Sequence, residues 1–159
     1  MDANEANHIS ELWVERTAES YPHLAAALLS KEPDLFRNPV GATLRRSLSQ
    51  LLRELFGAMD ATEIDSALDP IVRLLVVQGS VPGDAVRFVS LLKPILRELS
   101  SGQNSAVFYS RIDEDSLDRL ARMAADKHTQ CREQLDRIRA NEVQRASHVQ
   151  QRIHARRPV

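Results

Sequence analysis

The chain has one cysteine, Cys131, which excludes an intrachain disulfide and suits a reducing compartment. Aromatic residues are only 4% of its 159 positions, so a core must be built mainly from Leu, Val, Ile and Ala. No apolar run approaches the roughly 20 residues that span a bilayer. The polar, acidic start MDANEANHISELW is unlike a signal peptide. An excess of one charge is missing too. A formal net charge of −1 and a pI near 6.5 give no general pull toward nucleic acid or an anionic membrane. The expected location is the cytoplasm, with no nucleic-acid and no membrane partner. Strand-like alternation and internal repeats are absent as well, which leaves helices.

Catalytic signatures are also missing. There is no glycine-rich phosphate loop, no HExxH zinc helix and no GxSxG nucleophile turn. Carboxylates fall at helix starts or on polar faces, and no pair reads as a general acid and base. His128 and Cys131 lie three apart on one helical face, but a metal site needs three or four ligands. All five histidines, His8, His23, His128, His148 and His154, lie outside the most apolar stretch, residues 64–99, where an axial haem ligand from the core would arise. The reading is therefore a non-enzyme with no cofactor, no metal and no catalytic residues. A haem- or metal-binding redox accessory protein is a third reading that lacks these ligands.

What the chain does have is helical periodicity. In residues 64–99, Ile64, Leu68, Ile71 and Leu75 recur at helical spacing, widened by Val72 and Val76. Gly79-Ser80 breaks the pattern. Gly79 suits a left-handed helix end, Ser80 a cap, Pro82 a first turn, and Asp84 the positive end of the next helix dipole. Ala85, Phe88, Val89, Leu92, Ile95, Leu96 and Leu99 then resume the stripe. The pair reads as a core hairpin that other helices cover, with Pro70 and Pro94 bending or bounding its helices.

Upstream, a first helix is expected from about Glu11 to Ser20, capped by Ser10, carrying Trp13 and ended by Tyr21-Pro22. A short helix through Leu24 and Leu28 follows. Asn38-Pro39 opens a third, through Leu44, Leu48 and Leu55, with Arg45, Arg46 and Arg53 facing water; Gly57 and Asp60 end it. Gly41 in its first turn costs about 1 kcal/mol relative to Ala, which a close helix contact would explain. Residues 100–105 read as loop and 106–109 as a short apolar piece. From about residue 113 one long helix runs toward Ile153. Leu117, Ala121, Ala124, His128, Cys131, Leu135 and Ile138 alternate steps of four and three, a coiled-coil-like seam that fades at Glu142. The tail from Arg145 is basic.

Three groups of residues then converge. Trp13-Val14-Glu15-Arg16, Tyr21-Pro22 and Phe36-Arg37-Asn38-Pro39-Val40-Gly41 form the first. Ile71-Val72-Arg73, Val77-Gln78, Pro82, Ala85-Val86, Phe88-Val89 and Leu92-Lys93 form the second. Cys131-Arg132-Glu133 and Asn141-Glu142-Val143 form the third. In this order and spacing they resemble the RsbRD N-terminal domain family, the sensory half of RsbR-type stressosome co-antagonists, over about residues 9–145. The resemblance implies a signal-input module in stress signalling, with globin-like, haem-free, dimerising relatives and no catalytic residues to carry over. In RsbR-type proteins a helical linker leads on to a STAS domain. This sequence stops at Val159, shortly after what reads as that linker, and so resembles a stand-alone version.

The fold expected is all-α, a globin-like or related helical bundle with a long C-terminal helix. Residues 1–8 are expected to be a flexible start, 9–112 the helical bundle, 113–145 the long linker-like helix and 146–159 a basic tail. The leading function is a non-catalytic cytoplasmic signal-input or adaptor module that forms a homodimer and contacts a protein partner. Its candidate dimer residues are Trp13 and the seam Leu117, Ala121, Ala124, His128, Cys131, Leu135 and Ile138, so Leu135→Asp is expected to break the dimer. The alternative is a small-ligand sensor with a pocket between the core helices, touched by Arg73, Gln78 and Arg87.

Overall fold

Prolines and capping residues set where most of the helices begin. The described residues of a computed structural model, 3–30, 36–100 and 114–155, form seven helices and no strand. These are α1 (Ala3–Ser20), α2 (Pro22–Leu29), α3 (Pro39–Leu55), α4 (Ala61–Val77), α5 (Pro82–Ser90), α6 (Leu92–Ser100) and α7 (Glu114–Ala155). The all-α class and the long C-terminal helix are those that the periodicity predicts. Of the loop expected over residues 100–105, Ser100 is instead the last residue of α6; the rest of it, the apolar piece 106–109 and the last arginines of the tail lie outside the described residues.

Pro22, Pro39 and Pro82 each sit in a first turn, where a missing N–H costs nothing. Asn38 caps α3. Its side-chain oxygen accepts the Gly41 N–H at 3.0 Å, and its Nδ2 donates to the Ala27 carbonyl at 2.7 Å. The second bond ties the start of α3 to the end of α2. Gly41 is at that junction: a Cβ there would lie 2.1 Å from the Ala27 oxygen. The backbones approach too closely for any side chain. Gly79 takes φ +80 and ends α4, as its place in the sequence predicts.

Four local expectations change. First, α1 begins at Ala3 and not near Glu11, so Ser10 lies inside the helix, buried, with its Oγ 2.9 Å from that of Ser49. Second, Asp60 opens α4 and does not close α3; its carboxylate accepts the N–H groups of Thr62 and Glu63. Third, the second half of the apolar stretch is divided at Leu91 into α5 and α6. Pro94 has no N–H to offer the Ser90 carbonyl, so the ladder breaks there. Pro70, by contrast, lies inside α4 without ending it. Fourth, Arg45 is half-buried and does not face water. It pairs with Glu11 at 2.8 Å and donates to the Leu28 carbonyl, joining α3 to α1 and α2.

Residues 64–99 do not form a self-packed hairpin. α4 packs mainly on α3 and α7, and α5 on α7, with little between α4 and α5. The reason is the width of the α4 stripe. Ile64, Ala67, Leu68, Ile71, Val72, Leu75 and Val76 are all buried, an arc too wide for one neighbour to cover. The other side of the core centres on Trp13. It is fully buried, its ring stacks on Phe88 with centroids 6.0 Å apart, and its indole N–H donates to the Phe88 carbonyl at 2.7 Å. One bond satisfies the indole while the rings bury a large apolar area.

Candidate functional site: the long helix and the corner it docks on

α7 has 42 residues, and at 1.5 Å each would span about 63 Å. Its two halves have different surroundings. Leu117, Leu120, Ala124, His128 and Cys131 are buried against α4 and α5. Beyond them Leu135 is half-buried, and residues 136–152 are exposed on every side.

A charged clasp holds the docked half. Lys127 Nζ lies 2.8 Å from Asp65 and 3.1 Å from Asp69, and Arg73 reaches Asp69 at 2.6 Å. The Arg73 hydrogen bond, helped by Lys127 and opposed by burial, holds the Asp69 carboxyl below its ordinary range. Burial works against the Lys127 charge, but Asp65 and Asp69 outweigh it and raise the ammonium's affinity for its proton. Lys93 on α6 adds a bond to Asp118 at 3.2 Å.

One residue further along, His128 is 1% exposed and its Nε2 lies 3.0 Å from Ser80 Oγ. Its Nδ1 is buried without a partner among the described residues, at a cost of about 1–3 kcal/mol. Ser80 therefore does not cap α5, the role its position suggests. Val81 precedes that helix, and the Asp84 carboxylate accepts the Val81 N–H at 3.0 Å.

The three candidate ligand contacts separate. Gln78 and Arg87 share an open cleft of about 320 Å³ with Tyr21, Pro22, His23 and Ser80. Arg87 is paired there with Asp84 at 3.7 Å. The Tyr21 hydroxyl donates to the Asp84 carbonyl, and burial pushes its phenol up to about 12. Arg73 is elsewhere, beside a notch of about 110 Å³ with Val76, Val77, Cys131, Leu135 and Ile138. Between the core helices themselves, the void lined by Leu24, Leu48, Leu75 and Phe88 holds only about 10 Å³, at most one water. That void is too small for a small-molecule ligand.

The seam residues separate as well. Trp13 is inside the core, and Leu117, Ala124, His128 and Cys131 face this chain's own bundle. Ala121 and Leu135 are half-buried, and Ile138 is 55% exposed. The buried members Leu117, Ala124, His128 and Cys131 are thus covered within the chain itself, while Ala121, Leu135 and Ile138 keep exposed surface. The four-and-three spacing marks the face of α7 that is apolar, but does not say what covers it. Burial pushes the Cys131 thiol up, with Arg73 opposing, which makes a poor thiolate nucleophile. Among the described residues no three His, Cys, Asp or Glu side chains converge on a metal position. None of the described helices is long and apolar enough to cross a membrane. Ser80 and Lys127 are the functional candidates that the sequence reading passes over. Ser80 reads locally as a cap, and Lys127 lies between the seam positions Ala124 and His128 without belonging to the apolar set.

Residues 7–143 match the family model described as the RsbT co-antagonist protein rsbRD N-terminal domain, and the chain belongs to this family. It is a family of signalling sensor domains and not a known enzyme family. No curated protein and no solved structure matches the chain.

Proposed function

We propose that this chain is a non-catalytic cytoplasmic signal-input or adaptor module of stressosome-type signalling, and that it works by protein contact through α7. Family membership supports the signalling role. The observation that carries the mechanism is the division of α7 into a docked half and an exposed half. A change in how α4 and α5 hold residues 117–131 moves everything beyond them, because a helix transmits displacement along its axis. The exposed half begins with Leu135 and Ile138 and is the proposed surface for a second copy or a partner. Most helical stability in proteins comes from packing of one face, and residues 136–152 have no such packing within the chain, which favours association there.

Ile138→Asp tests this surface more cleanly than Leu135→Asp, since Leu135 also packs on the bundle. In sedimentation velocity the parent chain should run as a dimer and Ile138→Asp as a folded monomer. An unchanged distribution contradicts the assignment. The cleft of about 320 Å³ holding Gln78 and Arg87 supports a second reading, a small-ligand sensor. A metabolite that raises Tm in a concentration-dependent way would favour it.

A further inference from the structure

Among the described residues, His128 Nδ1 is the buried side-chain polar atom that the packing leaves without a hydrogen-bond partner. The imidazole sits on the docked face of α7, and its Nε2 touches Ser80 in the turn that follows Gly79. One ring thus joins the long helix to the corner between α4 and α5.

The charges on the surrounding elements are already engaged. On α4, Asp65 and Asp69 hold Lys127 of α7, and Arg73 holds Asp69, two cations against two carboxylates. On α5, Asp84 and Arg87 pair with each other. On α6, Lys93 bonds Asp118. The Cys131 thiol lies on the same face of α7 and is buried. None of these groups hydrogen-bonds Nδ1.

We propose that His128 is a proton-responsive latch for α7. Neutral imidazole needs one donor and one acceptor contact, and Ser80 supplies one of them. The imidazolium donates from both ring nitrogens, and only one of those donors meets an acceptor, Ser80 Oγ. The added charge would also sit in a place closed to solvent, next in sequence to the Lys127 ammonium. Taking up a proton from solvent therefore weakens the docked state, and α7 loosens on acidification. The latch stands on the docked contact alone, so it holds or fails independently of what binds the exposed half of α7.

Cys131 is a built-in reporter, since it is the only cysteine and is 5% exposed on the docked face. Its rate of reaction with dithiodipyridine, which attacks thiols into the acid range, is measured in the full chain and divided by the rate in the urea-unfolded chain at the same pH. In the parent chain the protection should fall about tenfold between about pH 7.5 and 5.5. His128→Gln keeps a side-chain donor toward Ser80 but does not titrate, and its protection should change by less than about twofold. Ser80→Ala should lower protection already at the upper pH, and it decides the matter with the parent profile if His128→Gln fails to fold by circular dichroism. A flat parent profile, the same fall in His128→Gln, or unaltered protection in Ser80→Ala would each overturn the latch.

Discussion

Two glycines show how the same residue type answers different physical demands. Gly79 is needed for its backbone: φ is +80, but a Cβ there would meet nothing within 4 Å. Gly79→Ala should cost about 1 kcal/mol from strain alone. Gly41 is needed for its lack of a side chain, with the Ala27 oxygen 2.1 Å from any Cβ and the Asn38 Nδ2 at 2.3 Å. In an open helix, Gly→Ala would stabilise by about 1 kcal/mol. Here the sign should reverse, and Gly41→Ala should be the more damaging of the two in urea denaturation. A stabilised Gly41→Ala would show that α2 and α3 are not in this contact. The sequence announces both positions, one as a helix end and the other as a propensity cost that needs a reason. It does not announce Ser80, because its partner His128 is 48 residues away. Local capping rules cannot see a hydrogen bond made across the fold.

At the scale of elements, the boundaries set by proline and by side-chain caps are legible: Pro22, Asn38-Pro39 and Gly79 fall where local chemistry puts them. Which helix meets which is less so. The α4 stripe tells that the helix is apolar over a wide arc, but one of the two helices that cover it, α7, lies far along the chain, and periodicity carries no address. The seam of α7 has the same ambiguity. Four-and-three spacing describes a helix face that wants cover, and this chain's own α4 and α5 provide it as far as Cys131. The α4–α7 clasp gives the pairing its own pH signature. Because Arg73 holds the Asp69 carboxyl low, the stability it contributes is present above the ordinary carboxylate range and is lost as pH falls through the lowered value. Asp69→Asn should lower stability at neutral pH by about 1 kcal/mol, and the difference from the parent should shrink as the medium is acidified past the ordinary carboxylate range. Thermal melts of Asp69→Asn and of His128→Gln at a series of pH values separate the clasp from the histidine. A constant difference down to acid pH would mean that Asp69 acts through packing and not through charge.

At the scale of the whole molecule, the bundle is a well-filled base and α7 is its projecting lever. The core leaves almost no room inside, with a void of about 10 Å³ between the central helices, so the proposed change of state is a shift between packed helices or an event at the surface corner where Tyr21, Gln78, Ser80 and Arg87 meet. Both routes end at α7, through α4, through α5, or through the Ser80–His128 contact. The central claim is that the base holds one half of this helix while the other half is an association surface. Hydrogen exchange along α7, followed as a function of protein concentration, tests it most directly. Amides of residues 117–131 should exchange slowly at every concentration, while those of residues 136–152 should exchange fast when dilute and become protected as concentration rises, an effect that Ile138→Asp should abolish. Fast exchange of residues 136–152 at all concentrations, or fast exchange of residues 117–131 in the folded chain, would contradict it.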